Sequence, residues 1–598
     1  MGKPRIMLSR RLFVVGSTMA LACPDRSAQA AKSADAILDL DFTDPNARGS
    51  HARSLTGTLR YADHEVFGDR AGVLIEEATI NGVEDAGYAG GDAFPTGWRL
   101  LPQPVSAAEC ATTFTRKGVG QGLLRLTGNA TRDLFLVLGS AQHFAIAAGD
   151  LLTGSLAIRL AAGSLTNISG LGLINMENDA AGSPSVASLR PAPIQQLQSD
   201  KAWWAQVRSV AGPNDHANLA LKLSVAGSYD VTLEINAPQL EKRTWRSSYS
   251  ASSRTADDIA LAPEQLGYLR QAQRAVVITA DAPRVAGTAS LWSEWEDDNT
   301  YVELQLRDQA LHARLVAGGT VSEAQLGRIP PLARFTVAMT LGPTGLAGAV
   351  NGKVAKSINA AVPTGLTTVR LGRGSQGYWN ATIKRVSLYG IGAIDCAAMS
   401  LREQVFFDDF DRPDNASLGK SPTGQSIAKT GGVDTAIVAG KWIARNAGLG
   451  LAFAGYGKVS LPAAPRYMGA VLNWTTGRSG GAAGLIAATN NLSHPTDALH
   501  TVVCDSVEIF QTITGSRVDD ALATFVFPNA MARDGATAYG VARLFNRIEN
   551  AVVFVAPDGD LPRHVSTTYG ERIGETAVFE HYWQLGQCRP EFLAVAAA

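Results

Sequence analysis

The sequence predicts an all-β protein built from three tandem antiparallel β-sandwich domains that follow a signal peptide. Gly is abundant, at 60 of 598 residues, and only 18% of the residues are charged. Short runs of Val, Ile, Leu and Thr recur along the chain, separated by turns that contain Gly, Asn or Asp. The chain is also too long for a single hydrophobic core, so several domains are expected.

Residues 1–30 are predicted to be a signal peptide. Ser9-Arg10-Arg11-Leu12-Phe13 is similar to the twin-arginine export signature, and a short apolar stretch follows it. Ala28-Gln29-Ala30 provides small residues for cleavage after Ala30. An ordinary secretory signal with a fortuitous Arg pair is the alternative, and both routes predict a periplasmic or extracellular protein. Cys23 suggests a lipoprotein signal, but Ala20 stands where such signals usually carry Leu, so lipidation is less favoured.

The bulk composition excludes several classes of partner. The net charge of −1 argues against a general nucleic-acid-binding protein, which needs a basic surface. No apolar run approaches the roughly 20 residues that span a bilayer, so no transmembrane segment is expected. The cysteines form no CxxC or Cys/His cluster, which makes a structural zinc site improbable. Cys504 and Cys588 share the last domain, and both a disulfide and two separate thiols remain open.

The first domain is predicted over residues 31–261. Its later strand-like runs alternate apolar and polar residues, as half-buried antiparallel strands do. Two short segments bracket the block, Gly72–Gly87 (GVLIEEATINGVEDAG) and Ile235–Leu261 (INAPQLEKRTWRSSYSASSRTADDIAL). Both resemble the borders of a β-sandwich module found in phage tails and bacterial surface proteins. Thr79-Ile80-Asn81 departs from the Arg-Thr-Asn of that pattern. The resemblance implies a jelly-roll binding module rather than a catalyst.

The second domain is predicted over residues 262–400. Asn351-Gly352 between two short strands indicates a hairpin. Asp297-Asp298-Asn299, Leu371-Gly372, Trp379-Asn380 and Val386–Tyr389 resemble the corresponding motifs of the laminin-G, or concanavalin A-like, sandwich. That resemblance implies the fold but not the activity, because the fold occurs in both lectins and hydrolases.

The third domain is predicted over residues 401–598. Its opening, Phe406–Gly419 (FFDDFDRPDNASLG), resembles the start of another concanavalin A-like sandwich, and Gly440-Lys441-Trp442 fits the expected sequel. The resemblance fades beyond about residue 490, where only the spacing of apolar residues supports strands.

Two acidic clusters are candidates for catalysis or metal binding. Glu294, Glu296 and Asp298 lie near the E-x-D-x-E spacing of laminarinase-type sandwiches, which places a nucleophile and an acid on one face. The laminin-G resemblance implies a hairpin loop here instead, and we favour the loop. The second cluster, Asp408, Asp409 and Asp411, could supply oxygen ligands to a structural Ca²⁺, although Asp also caps turns. We favour the turn interpretation, and no other cofactor is expected.

Aromatic side chains are the best candidates for ligand contacts. A flat indole or phenol ring matches the apolar C–H face of a sugar. Packing in a sandwich core is the competing explanation for each of them, and for Trp295 the two explanations are evenly balanced. The candidate ligand-binding residues are Trp204, Trp292, Trp295, Tyr301 and Tyr378.

We therefore expect an exported, non-catalytic protein that binds glycans or polysaccharide at the cell surface. One alternative is a glycoside hydrolase or polysaccharide lyase with its active site in the C-terminal domain. Another is a structural or adhesin protein of the phage-tail-fibre type. Exposed sheet edges and apolar patches leave self-association into a homo-oligomer open.

Overall fold

The computed structural model describes residues 36, 38–42, 52–54, 72–102, 104–191, 202–209, 214–243, 247, 249–283, 287–329, 333–390, 394–401, 404–408, 413, 419–421 and 423–430, and beyond these the strands given below. For residues 52–54, 186–191, 202–209, 404–407, 428–430 and all later strands, only the backbone is described. The predicted signal peptide lies outside the described residues. Antiparallel sheets dominate, which confirms the all-β prediction. No helix in the described ranges is long and apolar enough to cross a membrane.

The described chain begins with three short strands that pair only with strands far along the sequence. They are β1 (Leu38–Asp41), β2 (Ala52–Ser54) and β3 (Val73–Ile75). β1 and β3 both pair with a strand over residues 381–389, and β2 pairs with one over residues 259–261.

Thirteen strands follow between residues 79 and 254. They are β4 (Thr79–Ile80), β5 (Arg99–Leu101), β6 (Ala111–Gly118), β7 (Gln121–Ala130), β8 (Asp133–Val137), β9 (Phe144–Ala145), β10 (Leu151–Ser164), β11 (Ile168–Asn178), β12 (Pro184–Pro191), β13 (Ala202–Ser209), β14 (His216–Val225), β15 (Gly227–Glu241) and β16 (Ser253–Arg254).

The next block contains thirteen strands, a 3₁₀ helix (Pro263–Arg270) and one short helix, α1 (Cys396–Met399). The strands are β17 (Ile259–Leu261), β18 (Arg274–Asp281), β19 (Ala289–Asp297), β20 (Thr300–Arg307), β21 (Ala310–Ala317), β22 (Thr320–Arg328), β23 (Arg334–Gly342), β24 (Gly345–Val350), β25 (Lys356–Ile358), β26 (Thr368–Leu371), β27 (Arg373–Gly374), β28 (Gly377–Tyr378) and β29 (Ala381–Tyr389).

Two seven-stranded sheets form what we call sandwich I. Sheet 1 has the order β1-β29-β18-β23-β24-β25, with β3 also on β29; sheet 2 has the order β2-β17-β26-β19-β20-β21-β22. Their inner faces share one apolar core, to which Ile278 and Val337 contribute from sheet 1 and Val302 and Leu304 from sheet 2. The predicted hairpin at Asn351-Gly352 is confirmed: both residues have positive φ (48° and 77°), and β24 and β25 pair across the turn.

Two further sheets form sandwich II. Sheet 3 has the order β13-β10-β15-β7-β6, and sheet 4 has the order β12-β11-β14-β8-β5 with β9 on β14. Their shared core includes Leu124 and Leu233 from sheet 3 and Leu136 and Leu219 from sheet 4. The predicted strands at β10, β14 and β15 are confirmed. Burial alternates along β15 as predicted, whereas β10 is buried at every position from Leu152 to Ile158.

Sandwich II is inserted between strands of sandwich I. The chain leaves sheet 1 after β3, completes sandwich II, and returns to sheet 2 at β17. The predicted domain boundary between residues 261 and 262 consequently falls between β17 and β18, which both belong to sandwich I. The predicted domain boundaries themselves remain predictions. The two crossing segments pair as β4 and β16, so entry and exit are adjacent.

The segments that bracket sandwich II owe their residue pattern to this junction. The Asn81 side chain is almost fully buried, and its Nδ2 donates to the carbonyls of Pro238 (2.9 Å) and Ser250 (2.7 Å). Its Oδ1 accepts the N–H groups of Val83 (3.0 Å) and Leu240 (3.1 Å). One side chain thus ties the opening segment to the closing segment.

A buried carboxylate completes the junction. Glu241 accepts hydrogen bonds from the Thr79 hydroxyl (2.5 Å) and from both the hydroxyl and the N–H of Ser247 (2.5 and 3.0 Å). Arg254 forms an ion pair with the buried Glu76 at 3.2 Å. The bracketing motif is therefore accounted for by structural contacts.

Residues 404–596 form two more antiparallel sheets, one of six and one of eight strands, and a separate hairpin. The strands are β30 (Gln404–Asp408), β31 (Ala428–Thr430), β32 (Asp434–Val438), β33 (Lys441–Arg445), β34 (Phe453–Ser460), β35 (Tyr467–Thr475), β36 (Ala482–Ala487), β37 (Ala498–Val503), β38 (Ser506–Ile513), β39 (Ser516–Arg517), β40 (Ala523–Val526), β41 (Thr537–Asn546), β42 (Ala551–Pro557), β43 (Arg563–Thr567), β44 (Thr576–Trp583) and β45 (Gln587–Ala596).

Candidate functional site

The candidate site is the face of sheet 2 that points away from the core of sandwich I, which we call the polar face. In β20, Val302, Leu304 and Leu306 enter the core. Successive side chains of a strand point to opposite sides of the sheet, so Tyr301, Glu303 and Gln305 lie on the polar face.

Strand register arranges the polar face in three rows. The cross-strand partners are Thr368, Trp295, Tyr301, Val316 and Val321 in the first row; Arg370, Ser293, Glu303, Arg314 and Glu323 in the second; and Ser290, Gln305, His312 and Gln325 in the third. The face thus places an aromatic and apolar row beside a row of alternating charges.

Trp295 and Tyr301 stack on one another in the first row. Their ring centroids are 4.5 Å apart and the ring planes differ by 14°. Tyr301 is buried, whereas Trp295 is half-buried and next to the exposed residues Glu296 and Asp297. The predicted loop is confirmed only in part: Asp298 and Asn299 form the turn between β19 and β20, whereas Glu294 and Glu296 lie within β19. A supported indole beside an acidic loop is a suitable stacking surface for a sugar ring.

Glu303 is a fully buried carboxylate at the centre of the polar face. It accepts hydrogen bonds from the hydroxyls of Ser290 and, at 2.6 Å, Ser375. Burial raises the pKa of the Glu303 carboxyl above its ordinary value, and the two serine hydroxyls and the nearby charge of Arg314 oppose that rise.

The short hairpin β27–β28 is fastened to this face. The Ser293 hydroxyl donates to the Arg373 carbonyl at 2.7 Å, and the Gln376 N–H donates to Ser290 Oγ at 3.3 Å. A Cβ at position 374 would stand 2.3 Å from Glu303 Oε1, so Gly374 is what allows this close approach. The hairpin contains Tyr378, which is half-buried and packs against the core of sandwich I.

Most cationic side chains around the polar face have an acidic partner. Arg307 and His312 both contact Glu323, at 2.5 and 2.9 Å. Arg373 and Arg370 contact Asp258, the latter at 3.8 Å.

Arg314 differs from these cations. Its guanidinium carbon lies 5.9 Å from the centre of the Tyr301 ring, and its side chain is half-buried. It forms no hydrogen bond or ion pair with any residue whose side chain the structure describes, and its Nε is buried without a partner in that part of the chain. Arg314 therefore has no hydrogen-bonded acidic partner among the described side chains, although its charge acts on the neighbouring Glu303 carboxyl.

The structure brings only some of the predicted ligand residues together. Trp295 and Tyr301 share the polar face, and Tyr378 lies on the hairpin fastened to it. Trp292 is fully buried in the core of sandwich I, edge-on to Tyr268 with centroids 6.4 Å apart, so no part of its ring is open to a ligand. Trp204 lies in sandwich II, on β13 opposite Leu156, where only its backbone is described.

The structure does not bring the residues of either predicted acidic cluster together among the described side chains. Glu294 is buried and pairs with Arg274 at 2.6 Å, whereas Glu296 is exposed. Asp408 is buried at the end of β30, and Asp409 and Asp411 lie outside the described residues. Among the residues whose positions are described, no group of three His, Cys, Asp or Glu is placed to hold a metal ion.

The possible disulfide between Cys504 and Cys588 falls partly outside the described residues. Cys504 lies outside the described residues, and Cys588 is described only as a backbone position in β45, opposite Trp474. Cys110 and Cys396 are buried free thiols.

Comparison with known proteins gives partial likenesses only. No family model matches the chain, and neither does any curated protein. One similar solved structure is the carbohydrate-binding module of a Ruminococcus gnavus sialidase bound to α2,3-sialyllactose, with 14% identity, a TM-score of 0.20, and 23% of this chain and 84% of that chain covered. The carbohydrate-binding module CBM66 from Bacillus subtilis is 12% identical, with a TM-score of 0.20, and the match covers 28% of this chain and 94% of that chain. Domains LG4–5 of mouse laminin α1 are 15% identical, with a TM-score of 0.16, and the match covers 52% of this chain and 75% of that chain. No part of the functional assignment rests on these likenesses.

Proposed function

We propose that this protein binds carbohydrate through the polar face of sandwich I, with Trp295 as the main contact for a sugar ring. The observation that supports the proposal is the stacked pair of Trp295 and Tyr301, with Trp295 still partly exposed. Tyr301 fixes the orientation of the indole before any ligand arrives, so little side-chain entropy is lost on binding.

The polar groups around this pair suit a polyhydroxylated ligand. Glu296 and Asp297 are exposed beside Trp295, and Ser375 and Gln376 are exposed on the hairpin. Carboxylates, hydroxyls and amides can pair with sugar hydroxyls at a shallow surface, while the aromatic ring supplies the apolar contact. We further propose that the protein acts after export and without catalysis. The hydrolase or lyase alternative concerns the C-terminal domain, where side chains are described for only a few residues, the last of them Ile427.

Replacing Trp295 by Ala tests the proposal. We expect polysaccharide binding by the full chain to weaken at least about tenfold, since an aromatic contact of about 1.5 kcal/mol is lost. Affinity electrophoresis in gels that contain polysaccharide, followed by calorimetry on each ligand found, measures the effect.

The matched control is Phe94→Ala, which removes another half-buried ring, packed edge-on against Trp98 in sandwich II. It should leave binding unchanged. Equal binding by wild type and Trp295→Ala would refute the assignment. Release of new reducing ends or unsaturated sugars would refute the non-catalytic part.

A further inference from the structure

We propose that the polar face selects glycans that carry a carboxylate, and that Arg314 binds this group. The inference rests on the proposed function and adds the chemical class of its ligand.

The first step is the charge state of the face. Glu323 and Asp258 already compensate the cations around Arg314. Glu303 is the register partner of Arg314, yet its two oxygens accept hydrogen bonds from Ser290 and Ser375. The buried Nε of Arg314 therefore has no hydrogen-bond acceptor within the described part of the protein.

The second step is position. Arg314 lies against the ring of Tyr301, and Tyr301 stacks on Trp295. The strand of Tyr301 lies between those of Trp295 and Arg314, so a polysaccharide chain that contacts Trp295 with one sugar reaches the guanidinium with a further sugar of the same chain. Trp295, Tyr301 and Arg314 lie on the adjacent strands β19, β20 and β21 of sheet 2.

The third step is chemistry. A guanidinium presents a planar fork of N–H donors that matches a carboxylate in a bidentate pair. Because Arg314 is half-buried, part of its hydration is already lost, and an anion would compensate that loss. A neutral sugar hydroxyl accepts one hydrogen bond and compensates no charge.

The test compares one polymer in two charge states. Polygalacturonate carries a carboxylate on every sugar, and its fully methyl-esterified form carries none. We expect the full chain to bind polygalacturonate at least tenfold more tightly than the ester, measured by calorimetry. Arg314→Gln should remove most of that preference, and Arg314→Lys should restore it only in part, because Lys retains the charge without the fork.

The matched control is Arg125→Gln, an exposed arginine of sandwich II paired with Asp230 at 2.7 Å, which should leave the preference unchanged. Equal binding of acid and ester, both dependent on Trp295 and unaffected by Arg314→Gln, would overturn the carboxylate inference and leave the proposed function intact. Arg314-dependent binding of dextran sulfate without binding of polygalacturonate would assign a sulfate instead and overturn the carboxylate inference. Binding of no polysaccharide would overturn both proposals.

Discussion

At the scale of single residues, the polar face is defined by a buried acid, Glu303, and a neighbouring cation, Arg314. Glu303 is excluded from water, while Arg314 next to it has no acidic hydrogen-bond partner among the described side chains. These environments have opposite consequences. Glu303 favours its neutral form because of desolvation, and Arg314, which cannot lose its proton, favours the approach of an anion.

The elevated pKa of Glu303 predicts a pH-dependent effect of Glu303→Gln. The folded protein retains this proton to a higher pH than the unfolded chain, so stability is lost as pH rises from the unfolded pKa of about 4.3 through the higher folded pKa. Gln removes that loss and can still hydrogen-bond with both serines. The melting temperature of the variant minus that of wild type should therefore be larger at pH 7 than at pH 4, as measured by calorimetry. A difference in melting temperature that is the same at both pH values would contradict this account.

Residue parity explains why only one of the two predicted ligand residues on β19 lies on the polar face. Trp292 and Trp295 are an odd number of residues apart on β19, so their side chains must face opposite sides of the sheet. Trp292 enters the core and Trp295 does not. The spacing of the two residues in the sequence already carries this signal. The same parity in Tyr301, Glu303 and Gln305 could have indicated the polar face, although neither the burial of Glu303 nor the isolation of Arg314 follows from spacing.

At the scale of secondary-structure elements, the β4–β16 junction decides how sandwich II is attached. The contacts of Asn81 in the opening segment and of Gln239 and Glu241 in the closing segment account for the bracketing motif. The departure from the pattern at Ile80 falls on a side chain that is 65% exposed. Thr79 supplies a hydroxyl to Glu241.

Removing the Asn81 side chain should destabilise sandwich II. Asn81→Ala deletes four hydrogen bonds and leaves buried backbone groups unsatisfied, which costs about 3 kcal/mol. Calorimetry should show the transition of sandwich II lowered by about 5–10 °C. Asn129→Ala, at an exposed position of β7, is the control and should shift it little. If both variants melt like wild type, the junction does not hold sandwich II in place.

At the scale of the whole molecule, the all-β class was predictable and the nested order was not. Alternating apolar runs are local, and they indicated strands such as β14 and β20 directly. β1, β2 and β3 are only three or four residues long, and their partners lie far away in the sequence, as when Leu38 faces Leu388. No local pattern specifies such pairings, so a division into successive blocks was the natural expectation.

The polar face is formed entirely by strands that follow sandwich II in the sequence. Sheet 2 includes β2, which precedes the insertion, but the face itself consists of the consecutive strands β19 to β22 together with β26 and the β27–β28 hairpin. Ligand binding should therefore affect these elements and leave the core strands of sandwich II unchanged.

Hydrogen exchange of the full chain, with and without a saturating bound polysaccharide, tests the central claim most directly. We predict slower exchange in the β19–β20 turn, residues 297–300, and in the hairpin, residues 373–378, with no change in β7 and β14. Protection confined to sandwich II or to residues 404–596, with the turn and the hairpin unaffected, would contradict carbohydrate binding by the polar face.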